Sequence, residues 1–169
     1  MWRWGLIAFC LLCACREPED TYRGLRGARF ADPSGALMYR FYVPPDASPE
    51  HRLPLVLYLG SQRGYDNEQH VDYRVTRWVE NQLQHPCFVL APQLPRGAWV
   101  AADPTKGSYT FDEAKLTEPM QLVIELLELF MKRYPLDLTR IYVVGDYGAW
   151  ELLMRKPHWF AAAIVIEGG

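Results

Sequence analysis

Arg140 to Trp150 reads Arg-Ile-Tyr-Val-Val-Gly-Asp-Tyr-Gly-Ala-Trp, and no other stretch limits the folding of this chain so tightly. Ile141 to Val144 is a short apolar run rich in β-branched residues, which favours a strand. Gly145-Asp146-Tyr147-Gly148 is a Gly-flanked corner, and a helical pattern follows it until Pro157. A strand that turns straight into a helix puts its corner at the carboxyl edge of a parallel sheet, where open α/β sheets hold their ligands.

The other units agree with that frame. Leu37, Tyr39, Phe41 and Val43 alternate along Ala36 to Val43, the pattern of a half-buried strand, and Pro44-Pro45-Asp46 ends it. Ser48-Pro49-Glu50-His51 is a turn, with His51 in solvent. Pro54 to Leu59 is nearly unbroken apolar sequence, as suits a central parallel strand buried on both faces. Asp66 or Asn67 caps a helix running to about Gln84, with Val71, Val75, Trp78, Val79 and Leu83 at helical spacing. His70 and His85 are surface residues at its two ends. Phe88 to Ala91 is another short buried strand, and Cys87 before it is buried filler. Thr117 caps the clearest helix, whose stripe is Met120, Val123, Leu126, Leu127, Phe130, Met131 and Tyr134. Glu118 in its first turn and Lys132 and Arg133 in its last complement the macrodipole, and Pro135 stops it. Leu136 to Thr139 is a short link into the strand at Ile141, and Phe160 to Ile166 is the last strand. Strands alternating with helices give the α/β class, a mostly parallel sheet with helices on both faces.

With 169 residues and 50% hydrophobic content, the chain fits one domain with a sizeable core. Its formal net charge of -2 comes without a basic stripe, which argues against a nucleic-acid partner. Nothing in the pattern calls for a metal or a cofactor.

The N-terminus has the form of a targeting segment. Arg3 precedes an apolar run from Gly5 to Ala14, roughly ten residues and too short to span a bilayer. Leu12-Cys13-Ala14-Cys15 looks like a bacterial lipobox. That resemblance implies cleavage before Cys15, an acylated Cys15 and a membrane anchor rather than a span. Arg16 after the cysteine implies the outer membrane or cell surface. An ordinary secretory signal with incidental cysteines is the other reading. Arg16 to Arg29, rich in charge and Gly, is a linker.

Several motifs occur together, in order. They are Pro54 to Leu59 before Arg63-Gly64-x-Asp66-Asn67, Phe88-Val89-Leu90-Ala91-Pro92-Gln93, Tyr134-Pro135-Leu136-Asp137, Arg140 to Gly145, Tyr147-Gly148-Ala149-Trp150 and Phe160-Ala161-Ala162-Ala163. As a set they resemble the secreted esterase and peptidase-like branch of the α/β-hydrolase superfamily, near feruloyl esterases and polyhydroxyalkanoate depolymerase-like proteins. The resemblance covers about Leu37 to Gly169. It implies carboxylic-ester cleavage by a Ser-His-Asp triad without a cofactor. The chain then divides into a signal peptide at 1–14, a lipidated cysteine and linker at 15–35, and a partial hydrolase domain at 36–169, incomplete at its C-terminal side.

Three departures from the family pattern bear on activity. The family places His-Gly-x-Gly after its first central strand, to help hold the oxyanion; here Leu59-Gly60-Ser61-Gln62-Arg63 has no His. Loss of one oxyanion donor typically costs about 100-fold to 1000-fold in rate. The family elbow, Gly-x-Ser-x-Gly-Gly-Tyr-Gly-x-Trp, is here about four residues shorter and has no Ser. The triad Asp and His of the family fall beyond Gly169, and none of His51, His70, His85 and His158 stands where that His is expected.

The candidate catalytic residue is therefore Asp146, and the candidate binding residues are Gly60, Ser61, Trp99 and Tyr147. Asp146 has two readings. Val144-Gly145-Asp146-Tyr147-Gly148 is similar to the elbow of haloalkane dehalogenases and epoxide hydrolases, where a carboxylate attacks. Alternatively, Asp146 simply caps the following helix. Trp99 either walls a pocket or packs over the sheet edge. Ser61 follows a central strand but has no base evident in the sequence; Ser34, Ser48 and Ser108 sit in turns and loops. Three functions follow: a serine esterase whose catalytic residues this chain lacks, a surface protein that binds an ester or glycan without turnover, or a hydrolase using Asp146. A chain too incomplete to fold is a further reading, and it predicts a broad, non-cooperative melt.

Overall fold

A computed structural model describes residues 21–61, 73–95, 97–101, 110 and 113–166. The described chain forms β1 (Thr21–Tyr22), β2 (Leu25–Asp32), β3 (Gly35–Tyr42), β4 (Leu53–Leu59), α1 (Tyr73–Glu80), β5 (Phe88–Pro92), α2 (Glu118–Arg133), β6 (Leu136–Gly145), α3 (Tyr147–Arg155), a 3₁₀ turn (Pro157–Trp159) and β7 (Ala162–Val165). The seven strands make one sheet in the order β1-β2-β3-β5-β4-β6-β7. β5, β4, β6 and β7 are parallel; β1, β2 and β3 run antiparallel along one side.

The unbroken apolar runs lie where both faces are covered. On β4, Leu55, Leu57 and Leu59 face the layer of α2 and α3, while Val56 and Tyr58 face α1. The period of two along a strand sends alternate side chains into the two cores. α2 supplies Met120, Val123, Leu126, Leu127 and Phe130 to the larger core. Thr117 accepts the cap bond from the Met120 N–H at 3.3 Å, as its position ahead of the apolar stripe requires. The mostly parallel α/β class with helices on both faces is what the chain forms.

Several local expectations are corrected. The expected linker contains two strands. Asp32 nucleates the β2–β3 hairpin by accepting from the Ser34 N–H at 2.8 Å and the Gly35 N–H at 3.0 Å, so the sheet begins upstream of Ala36. α1 ends at Glu80 rather than near Gln84, and Leu83 is fully exposed instead of completing a stripe. Its expected start falls outside the described residues. Leu136 to Thr139 is not a link: β6 begins at Leu136, which is buried and pairs with Leu53 before a register shift. The 3₁₀ turn occupies the approach to β7, which starts at Ala162 rather than Phe160.

β4 leads to β5 on one side of it, and β5 leads back across to β6 on the other. At such a reversal open α/β sheets place their ligand crevice, at the carboxyl ends of the strands. Gly60 and Ser61 follow β4, Trp99 follows β5 and Asp146 follows β6.

Candidate functional site at the carboxyl edge

β4 and β6 end together. Leu59 and Gly145 are register partners, and the Asp146 N–H donates to the Leu59 carbonyl at 3.3 Å. A Cβ on Gly145 would collide with that carbonyl, so the corner needs a residue without a side chain there. α3 starts at once: the Ala149 and Trp150 N–H groups donate to the Asp146 carbonyl at 3.0 and 3.4 Å.

Asp146 occupies the N-cap position of α3, yet its side chain accepts no cap bond. The expectation of a side-chain cap is corrected. The backbone at Asp146 (φ -97, ψ -137) does not bring the carboxylate onto the helix N–H groups. Asp146 is half-buried, and its carboxylate has no hydrogen bond or ion pair among the described residues.

Trp99 is packed over the sheet edge, in the larger core, and is only 4% exposed. Its indole N–H donates to the Gly60 carbonyl at 2.7 Å. A Cβ on Gly148 would stand 2.7 Å from the Trp99 Cδ1 atom, so the ring lies directly against the first turn of α3. The structure thus brings together Gly60, Trp99 and Gly148. Ser61 follows Gly60 and is exposed; Tyr147 points outward and is half exposed.

Histidine is found at the other edge. His51 precedes β4, and seven strand residues separate that end from Gly60, about 20 Å at the usual rise. His85 lines the same cavity as His51. His158 follows α3, which has run back along the sheet; the neighbouring Ala161 N–H donates to the Ile141 carbonyl, near the start of the parallel part of β6. No described histidine therefore stands beside Asp146, and His70 lies outside the described residues. The cavity that His51 and His85 line has a volume of about 710 Å³ and floors on Val56, Tyr142 and Val144. It lies on the α1 side toward the amino edge, away from the crevice.

Sequence reasoning missed a clamp at the far end of α3. Glu151 is buried and accepts from the Arg155 Nε–H at 2.5 Å, and an Arg155 Nη2–H donates to the Ala114 carbonyl at 2.6 Å. The Thr117 hydroxyl donates to the Trp99 carbonyl at 2.8 Å. The Arg155 bond ties the segment between β5 and α2 to α3, and the Thr117 bond closes that segment on itself. The Glu-Arg spacing of four on a helix was the available signal. Cys87, buried at the amino end of β5, has its thiol pushed up by burial, which agrees with filler rather than reactivity.

No family model and no curated protein matches the chain. Solved structures do. A thermostable esterase shares 33% identity over 83% of this chain, with a TM-score of 0.71. The chain belongs to the α/β-hydrolase superfamily. Two S-formylglutathione hydrolases carry the same fold. That of Agrobacterium tumefaciens is 19% identical over 88% of this chain (TM-score 0.57), and that of Staphylococcus aureus is 14% identical over 84% (TM-score 0.57). This hydrolase-superfamily chain spans 40% of the esterase's length and 60% and 58% of the other two. Its corner between β6 and α3 is a tight strand-to-helix turn, and the residue that stands in it is Asp146.

Proposed function

We propose that this chain is an esterase-type α/β-hydrolase that binds a carboxylic ester at the carboxyl-edge crevice and does not turn it over. The observation that carries this reading is the elbow itself. It is a sharp strand-to-helix corner, with Gly145 tight against Leu59, and it presents a carboxylate rather than a hydroxyl. An ester carbonyl placed there finds no Ser to attack it. The described histidines stand at the opposite edge, out of reach as general base. The lipobox reading adds the place of action: a bacterial surface to which acylated Cys15 anchors the chain. Cys15 lies outside the described residues.

The test pairs a ligand with a substrate on the mature chain. Ethyl hexanoate at saturation raises the denaturation midpoint, while p-nitrophenyl butyrate is hydrolysed no faster than in buffer. Saturable hydrolysis would contradict the reading. Anchoring is checked by radiolabelled fatty-acid incorporation in cells, present in wild type and lost in Cys15→Ser.

One observation favours a second reading, in which Asp146 is a nucleophile. Its carboxylate is free of the cap bond that the first turn of a helix usually draws from such a residue. A carboxylate that attacks an alkyl carbon displaces its leaving group and forms a covalent ester, which water then has to cleave. Hydrolysis abolished by Asp146→Asn and retained in Ser61→Ala would establish it.

A further inference from the structure

We infer that Trp99 is a plug: its indole closes the carboxyl-edge crevice, and an acyl ligand enters only when the ring leaves Gly60. The inference rests on the assignment of that crevice as the acyl site. A group held at the elbow must lie between the segment after β4 and the first turn of α3, where backbone N–H groups of this fold converge on an acyl oxygen. The indole occupies that space. It is hydrogen-bonded to Gly60 on one side and in contact with Gly148 on the other, and it is almost wholly buried.

The bond also turns the local backbone the wrong way for an acyl oxygen. The Gly60 carbonyl points at Trp99. The peptide is planar and trans, so the Ser61 N–H in the same plane points away from the ring. A ligand oxygen taking the ring's place would meet a carbonyl, not a donor, until that peptide rotates. The ring is not loosely placed. The Thr117 hydroxyl holds its own carbonyl, and Arg155 holds the segment at Ala114. Loss of the indole frees the Gly60 carbonyl and opens the crevice together.

Two measurements on the full-length chain, with ethyl hexanoate as the probe, test this. In the ¹⁵N-labelled protein the Trp99 indole N–H, assigned by its loss in Trp99→Phe, exchanges with solvent at least about tenfold more slowly than that of half-exposed Trp150. Trp99→Ala binds the ester at least about tenfold more tightly than wild type, since one hydrogen bond and the ring no longer have to be displaced. Trp99→Phe keeps most of the ring but not the N–H, and gains less. Exchange as fast as that of Trp150 overturns the plug. So does a folded Trp99→Ala with unchanged affinity; if that variant fails to fold, an unchanged affinity in Trp99→Phe does the same. Tight binding by wild type with the Trp99 N–H undisturbed overturns the plug and leaves the acyl site standing. No binding by any of the three proteins removes both.

Discussion

Gly145 stands so close to Leu59 that any side chain on it would run into the Leu59 carbonyl, and this contact fixes the corner from which Asp146 emerges. The two strands end on the same rung, so the chain has to leave β6 there and turn into α3.

Replacing Gly145 with Ala is therefore expected to cost about 1–3 kcal/mol, the usual range for forcing extra atoms into a packed site. Urea denaturation of wild type and variant reads it. A variant as stable as wild type would mean that β4 and β6 can part at their ends.

Arg155→Met leaves the Glu151 carboxylate buried without its guanidinium partner, because Glu151 is 1% exposed. The expected loss is about 3 kcal/mol. Replacing both residues by apolar ones of similar size (Glu151→Leu with Arg155→Met) restores most of that loss, since the cost comes from a buried carboxylate that has lost its counter-charge. Chemical denaturation of the single and double variants separates this from a packing effect, which the double variant would not repair.

Thr117→Ala removes the N-cap of α2 and the bond to the Trp99 carbonyl together. Loss of the cap alone is worth about 1 kcal/mol. The midpoint of thermal unfolding falls accordingly. Thr117→Ser keeps the hydroxyl and stays close to wild type.

Asp137 carries a pH dependence. Hydrogen bonds from Thr139, then from Arg140, lower its carboxyl to about 2 from the ordinary 3.8. A folded-state pKa below the unfolded one means stability that is complete above about pH 4 and is lost as the pH falls toward 2. Asp137→Asn removes that share, so its stability declines less steeply across this window than wild type. Parallel slopes for the two proteins in denaturant titrations between pH 2 and 5 would refute it.

Much of the fold was legible because burial on two faces leaves a plain mark. The unbroken run of Leu55 to Leu59 and the stripe of α2 admit few other placements. The hairpin ahead of Ala36 was harder to see. β2 mixes Arg, Gly and Asp among its apolar residues without strict alternation, and only the Asp32 turn chemistry marks it as a strand pair rather than a linker. At the site, the strand-to-helix corner could be read from Gly145 to Gly148, with Asp146 in it. Two features could not be read. Whether Asp146 caps α3 depends on a backbone angle rather than on residue type. Whether Trp99 walls a pocket or packs over the sheet edge depends on a bond between residues 39 positions apart in sequence.

The central claim is that the corner after β6 offers no hydroxyl able to attack an acyl carbon. Intact-mass spectrometry of the protein after incubation with a fluorophosphonate tests it most directly. The predicted result is an unshifted mass, with the protein still folded. A stoichiometric adduct that maps to any serine, Ser61 included, would contradict the account.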